Sequence, residues 1–178
     1  ADIILNNDEV IRDLVNSLVL SDADVVGGSG RPIKGKKLIE LISNANEDLW
    51  HEIKKGLNDG DNIYNSQGCI FAMKKDFAQS LKYAVGTVSD QQYLYLEAKK
   101  NGKKFKFDDN IIAYYRSPNS LKDFYEHKWR AINEADILKS YFGPLVEQSR
   151  YIPIGYKSKI LRKRFLKKPV KTAISLIS

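Results

Sequence analysis

The sequence predicts an α/β domain built on a parallel sheet, and three observations predict it. The chain opens on the apolar run Ala1-Asp2-Ile3-Ile4-Leu5, which stops abruptly at Asn6-Asn7-Asp8-Glu9. A strand, a helix and a second strand then fit within about 28 residues, the length of a βαβ unit. Helix-spaced segments continue to alternate with short apolar runs along most of the chain, as in domains with helices on both sheet faces.

The opening run reads as a buried strand that delivers Asp8 to the carboxyl end of the sheet, where open α/β folds place ligands. A doubly wound domain normally has at least one βαβ unit before such a site, so the first part of the domain is expected to precede Ala1. From Glu9 to Ser21, Val10, Ile11, Leu14, Val15, Leu18 and Val19 have the spacing of one helix face. Asp22-Ala23-Asp24 turns into Val25-Val26, and Gly27-Gly28-Ser29-Gly30 reads as a flexible loop that lacks both the Walker lysine and the dinucleotide spacing.

A helix of about five turns is predicted from Lys37 to Leu57, where Leu38, Ile42, Ala45, Leu49, Ile53 and Leu57 recur at helical spacing. Asn58-Asp59-Gly60 ends it. Cys69 to Met73 is a compact strand and Lys75 to Tyr83 a short helix. Asp90 to Lys100 is a helix stopped by Gly102, and Phe105 to Tyr115 gives one or two extended segments broken at Asp108-Asp109-Asn110. A last long helix starts at Asn119 or Ser120, and Gly143-Pro144 breaks the pattern beyond it.

The net charge of +7 divides unevenly. Nine of the 29 basic residues and none of the 22 acidic ones lie after Glu147, so residues 1–147 carry a net charge of −2. The body is nearly neutral and the tail holds the excess. A single cysteine, Cys69, excludes an internal disulfide, and no apolar run reaches the length of a membrane span.

Several groups could carry chemistry. Asp8 could hold one position around a hard cation such as Mg²⁺ or Mn²⁺, or could simply cap the helix beginning at Glu9. Asp22-Ala23-Asp24 has a metal-motif spacing but precedes its strand, which suits a plain turn better. Asp90 heads a helix, where a carboxylate is either a general base or a favourable partner of the helix dipole. Asp123, His127, Arg130 and Glu134 fall on one helix face, as a charged solvated surface or as a cationic site for phosphate. Cys69 reads as core, and His51 has no second histidine to pair with.

In this order, the pieces resemble the C-terminal two-thirds of a family-2 glycosyltransferase with the GT-A fold, a mixed sheet flanked by helices. Leu5-Asn6-Asn7-Asp8 is similar to the strand ending in that family's DxD motif, with Asn6 in place of the first aspartate. Asn65-Ser66-Gln67-Gly68-Cys69-Ile70-Phe71-Ala72 resembles the turn and strand bordering the acceptor. Ser89-Asp90-Gln91-Gln92-Tyr93-Leu94 resembles the acidic segment, and the stretch from Arg116 to Arg130 resembles the approach to QxxRW, with His127 at the Gln and Ala131 replacing the Trp. The likeness spans about residues 1 to 132.

The resemblance implies an inverting enzyme that uses a UDP- or GDP-sugar and Mg²⁺ or Mn²⁺. Asp8 would ligate the metal, while His127, Arg130, Gly68 and Gln67 would face the diphosphate or the acceptor. Asp90 would be the base, since Gln91 stands at the usual base position and an amide accepts no proton at neutral pH. The family's nucleotide-recognition half would precede Ala1, so residues 1–149 form a partial catalytic domain expected to be inactive alone.

Residues 150–178 form a basic amphipathic, membrane-proximal tail. Lys157, Lys159, Arg162, Lys163, Arg164, Lys167 and Lys168 are its expected membrane-surface residues, interleaved with apolar ones as in segments that lie on anionic lipid. Pro169 argues against one unbroken helix. Phe165 is the only aromatic after Tyr156, so the tail offers no stacking platform for single-stranded nucleic acid. A lipid-linked or polysaccharide acceptor at the cytoplasmic face of a membrane fits this arrangement. The alternatives are a non-catalytic scaffold subunit that keeps the sheet, and a basic-tailed nucleic-acid-binding domain.

Overall fold

The structure is a computed structural model that describes residues 3–66, 69–83 and 90–177. It is mixed α/β, with the elements β1 (Ile4–Leu5), α1 (Val10–Leu20), β2 (Val25–Pro32), α2 (Leu38–Gly56), β3 (Phe71–Met73), α3 (Lys75–Ser80), α4 (Asp90–Lys100), β4 (Phe105–Tyr115), α5 (Leu121–Phe142), α6 (Pro144–Arg150), α7 (Ile154–Lys167) and α8 (Pro169–Ile177). Short 3₁₀ turns at Leu57–Gly60 and Ile63–Asn65 link α2 to β3.

The four strands lie in the order β1-β4-β2-β3. β2 and β4 are parallel, whereas β1 is antiparallel to β4 and β3 antiparallel to β2. The sheet is therefore mixed, as expected for the chain as a whole, and not the parallel sheet expected from its opening residues. β1 is separated from β2 by β4 and runs opposite to it, so the opening strand, helix and strand do not form the expected parallel crossover. Nor is β1 buried: Ile3, Ile4 and Leu5 are exposed at the sheet edge. An apolar run marks a segment that can be a strand, but partner and direction are set by distant pairing.

Gly27-Gly28-Ser29-Gly30 is not a loop but the middle of β2. A Cβ on Gly28 would stand 2.6 Å from Ile70 Cγ2 and 2.7 Å from the Ile111 carbonyl oxygen, and one on Gly30 would meet Cys69 Sγ at 2.6 Å. The glycines leave room for the Ile70 and Cys69 side chains and for the Ile111 carbonyl to approach the strand closely, and close approach is a recurrent reason for glycine inside a strand. β4 is one strand rather than two. Its break at Asp108-Asp109-Asn110 is a bulge, since Gly28 pairs with Asp108 but Ser29 with Ile112.

Val25 and Val26 point to opposite sheet faces and seed two cores. On one side Val25 packs with Phe105, Leu94, Leu96, Leu138 and Ile63. On the other, Val26 packs with Val10, Leu14, Ile70, Ile111 and Ala113 beneath α1. The long helices begin and end on local signals. Glu40 accepts from the Lys36 and Lys37 amides at 2.7 and 2.9 Å, closing the first turn of α2. Ser120 Oγ accepts from the Asp123 amide at 3.1 Å at the head of α5, and Gly143 (φ 54°) ends α5 just before Pro144 opens α6.

The basic C-terminal segment divides at Pro169, and both of its helices pack on α2. Tyr156 donates to the Ile53 carbonyl at 2.8 Å, and Asn46 Nδ2 donates to the Ser175 carbonyl at 3.2 Å. Arg164 departs from its expected place on a membrane surface. Its side chain is 1 % exposed, and Nη1 reaches Glu52 Oε1 at 2.6 Å and the Asp48 carbonyl at 3.2 Å. A cation in a basic run looks solvated until the helix packs, and Arg164 is the residue that α7 turns toward α2. Among the described residues, no helix is long and apolar enough to cross a membrane.

Removing one member of a buried ion pair leaves an uncompensated charge and costs about 3–5 kcal/mol. With Glu52 partly solvated, Glu52→Ala is expected to destabilise the chain by about 3 kcal/mol in urea unfolding. Arg164→Met, which removes the buried charge itself, costs less than Glu52→Ala. Equal midpoints for Glu52→Ala and wild type would show that this contact does not hold α7 in place.

Candidate functional site

Asp8 lies three residues past β1, and because β1 is antiparallel to β4, the chain there heads away from the carboxyl ends of β2 and β4. Beyond Leu5, the Asn6 amide donates to the Ile112 carbonyl at 3.1 Å, so the chain runs toward the β4 bulge. The expectation that Asp8 sits at the carboxyl edge of a parallel sheet is corrected on this point. Asp8 does not cap α1 either: Asn7 Oδ1 accepts from the Glu9 amide at 3.0 Å, and α1 has no side-chain cap at Glu9. The Asp8 side chain is left exposed.

Asn6, at the place of the first aspartate, accepts from the Tyr114 hydroxyl through Oδ1 at 3.3 Å. The chain thus offers a divalent cation one free carboxylate here. Among the described residues, no group of three His, Cys, Asp or Glu side chains gathers to hold a metal. Mg²⁺ commonly takes only one or two carboxylates and completes its shell with water and phosphate oxygens, so a single Asp8 fits that style of binding.

Asp90 is the first residue of α4 and is exposed. Burial raises the pKa of the nearby Tyr83 hydroxyl, and the Asp90 and Tyr93 side chains add to the rise. Gln92 is structural, accepting from Arg150 Nη2 at 2.6 Å and tying α4 to α6. Gln67, Gly68 and Ser89 lie outside the described residues. Asp22 and Asp24 form a charged turn with Lys74 and Lys104, at 3.3 and 2.9 Å for Asp22 and 3.5 Å between Asp24 and Lys74.

On α5, Asp123, His127 and Arg130 are exposed while Glu134 is buried, so the four residues do not share one solvated face. His127 is reached by solvent but crowded by its neighbours. That desolvation holds its pKa below the ordinary value, with Glu47 pulling upward and Arg130 and Lys128 adding to the fall. Among the described residues, no hydrogen bond or ion pair joins Asp8, Asp90, His127 and Arg130 to one another.

A different constellation assembles along α2. Glu47, His51 and Lys55 recur at i, i+4 and i+8, with Lys54 beside them, and face the sheet where β4 bulges. Asp109 accepts from Arg31 Nη2 at 2.8 Å and Lys55 Nζ at 2.5 Å, and His51 Nε2 lies 3.2 Å from it. Ser29 Oγ accepts from Arg31 Nε at 2.8 Å and lies beside Asp109, whose pKa it helps to lower. Burial alone would raise the Asp109 pKa, but the Lys55 hydrogen bond, the His51 and Arg31 charges and Ser29 together hold it below the ordinary carboxylate value.

His51 is buried, and burial, together with the weaker effect of the Arg31 charge, pushes its pKa down to about 4. Its Nε2 lies 3.2 Å from Asp109 Oδ1, and Nδ1 is buried without a hydrogen-bond partner among the described residues. Elsewhere on α2, the Glu47 charge helps to raise the pKa of the Tyr115 hydroxyl, behind the larger effect of burial. It also acts on Cys69, Lys54 and His127.

The apolar stripe of α2 draws the eye in the sequence and hides this seam. The signal was present in the polar i, i+4, i+8 series Glu47-His51-Lys55, set against two adjacent aspartates in a strand. No family model matches the chain, and no curated protein is significantly similar to it.

The seam makes stability depend on pH in a defined window. The folded pKa of His51 lies below its unfolded value of about 6.5, so the unfolded chain takes up the proton first as pH falls. Stability is therefore complete above pH 6.5 and declines toward pH 4, by up to roughly 3 kcal/mol. Asp109, with its pKa also depressed, adds a loss below about pH 4. In urea unfolding, His51→Gln keeps a donor to Asp109 and should flatten the slope between pH 6.5 and 4. An unchanged slope in that variant would assign the acid sensitivity to other groups.

Proposed function

We propose that this chain is part of an inverting glycosyltransferase of the GT-A type, moving a sugar from UDP or GDP to a lipid-linked or glycan acceptor at the cytoplasmic face of a membrane. The observation that carries the reading is Asp8: an exposed carboxylate three residues past a strand, at the head of a helix that no side chain caps. Asp90, exposed at the first position of α4, supports it as a carboxylate open to an acceptor hydroxyl.

In this mechanism Asp8 would ligate the divalent cation. Mg²⁺ or Mn²⁺ bound there would neutralise the negative charge that grows on the leaving diphosphate. The acceptor hydroxyl oxygen bonds to the anomeric carbon as the bond from that carbon to the diphosphate oxygen breaks. Asp90 takes the hydroxyl proton, the diphosphate leaves with the bonding electrons, and attack from the opposite face inverts the centre. Arg130 offers a planar fork of donors to phosphate oxygens. His127, neutral at pH 7, can donate to the acceptor or the diphosphate.

A second reading, a non-catalytic subunit with the same sheet, is favoured by one observation. Gln91 occupies the place where the resemblance puts the base, and an amide accepts no proton.

Calorimetric titration of the full-length protein with UDP or GDP in the presence of Mn²⁺ separates the two. Metal-dependent nucleotide binding that Asp8→Ala weakens at least tenfold is the expected result. Asp90→Asn should then leave nucleotide affinity unchanged and slow transfer by about 10²-fold or more. Nucleotide binding indifferent to both Mn²⁺ and Asp8 would remove the enzyme reading and leave the subunit.

A further inference from the structure

Both C-terminal helices bury polar residues while leaving apolar ones outward. α8 buries its hydroxyl residues against α2, with Thr172 1 % and Ser175 2 % exposed, and presents Val170 and Leu176 outward at 72 % and 60 %. The buried hydroxyls are satisfied within the helix, Thr172 Oγ1 donating to the Lys168 carbonyl and Ser175 Oγ to the Thr172 carbonyl, both at 2.8 Å. α7 does the same with a charge. Arg164 is buried while Phe165 and Leu166 stand out at 53 % and 86 %.

Between these helices runs an open groove of about 380 Å³ lined by Leu161, Arg162, Phe165, Leu166, Thr172 and Leu176. Lys159, Arg162, Lys163 and Leu166 recur at i, i+3, i+4 and i+7 and are all exposed, placing cations beside the outward leucine. Acidic residues are absent from the sequence after Glu147, so the surface is apolar and cationic together. The cations that face α2 are already engaged there: Lys171 with Asp48 at 3.4 Å, Lys168 with Glu52 at 3.9 Å, and Lys157 over the Trp50 ring at 5.8 Å.

We propose that α7 and α8 form a preformed cradle that seats on an anionic bilayer. Leu166, Phe165, Val170 and Leu176 enter the acyl boundary, and Lys159, Arg162 and Lys163 lie at the headgroup phosphates. Charge selects this occupant: an anionic bilayer meets both the apolar outer face and the one-signed rim. The exposed stripe Leu121, Tyr125, Trp129 and Ile132 on α5 is flanked by Lys122 and Lys128 but also by Asp123, Glu126 and Asp136, and offers no such match. Because Arg164 and Tyr156 fix the hairpin to α2, binding needs no folding of a free tail. The inference rests on the surface of α7 and α8 and is independent of glycosyl transfer.

Co-sedimentation of the full chain with vesicles tests it, using phosphatidylcholine alone and phosphatidylcholine with about 30 % phosphatidylglycerol, an anionic surface of the kind that draws basic segments. Retention is expected on the anionic vesicles only, falling steeply as salt rises. Each exposed cation is worth about fivefold in affinity, so Lys159→Ala/Arg162→Ala/Lys163→Ala should weaken retention about 100-fold. Leu166→Ser/Val170→Ser, at positions outside the core, should weaken it at least tenfold with an unchanged urea midpoint. Retention on duplex DNA in preference to anionic vesicles would overturn the proposal. So would full retention by the Leu166/Val170 variant, or self-association through this face without vesicle binding.

Discussion

Asp109 is held at once by Arg31 from β2 and by His51 and Lys55 from α2, and the placement of α2 depends on that triple contact. A carboxylate drawn out of water is costly unless charged donors surround it. The bulge in β4 creates the requirement, because it turns adjacent aspartates to different partners: Asp108 accepts from Ser17 Oγ of α1 at 2.9 Å, and Asp109 meets α2. One irregularity in one strand therefore positions a helix on each side of the sheet. α2 transmits the constraint outward, since Asp48 and Glu52 take up Lys171 and Arg164 from the C-terminal helices. From β4 to α8, the order is set by alternating layers of charge.

The helices were legible because their signals are local. The Glu9–Ser21 stripe, the long Lys37–Leu57 segment, the Asp90 start and the Gly143-Pro144 break fall within a residue or two of the observed elements. The sheet was less legible because strand direction and order are not local. Ile3-Ile4-Leu5 suits an exposed antiparallel edge as well as a buried parallel centre, since apolar content fixes neither pairing nor burial. The glycines of β2 misled for a related reason. They are needed where Ile70, Ile111 and Cys69 approach the strand, and that demand is visible only once those residues are in place.

The candidate site shows the same division. Asp8 and Asp90 were found from element ends, and both prove exposed where a strand or helix terminus leaves them. Glu47 carries no signal of its own and His51 has no second histidine to pair with, and each lies on a helix already explained by its apolar stripe. A charged residue in a helix reads as solvated until the opposing surface is known, and the opposing surface here is a bulged strand. Arg164 is the mirror case, a cation in a basic run that becomes the buried anchor of α7.

Arg164 also explains how an apolar outer face can coexist with an ordered hairpin. An amphipathic segment that orders only on lipid loses conformational entropy at the moment of binding, which weakens its affinity. α7 and α8 are instead held to α2 by polar contacts, namely the guanidinium, the Tyr156 hydroxyl and the Asn46 amide. Their outward apolar side chains are not needed for that packing and remain available to a partner surface. The usual division, in which apolar groups hold the fold and polar groups meet the surroundings, is thus reversed at Arg164, Thr172 and Ser175 and at their outward apolar neighbours. Such a reversal is stable next to water only where the polar side finds partners, and the charge ladder on α2 supplies them.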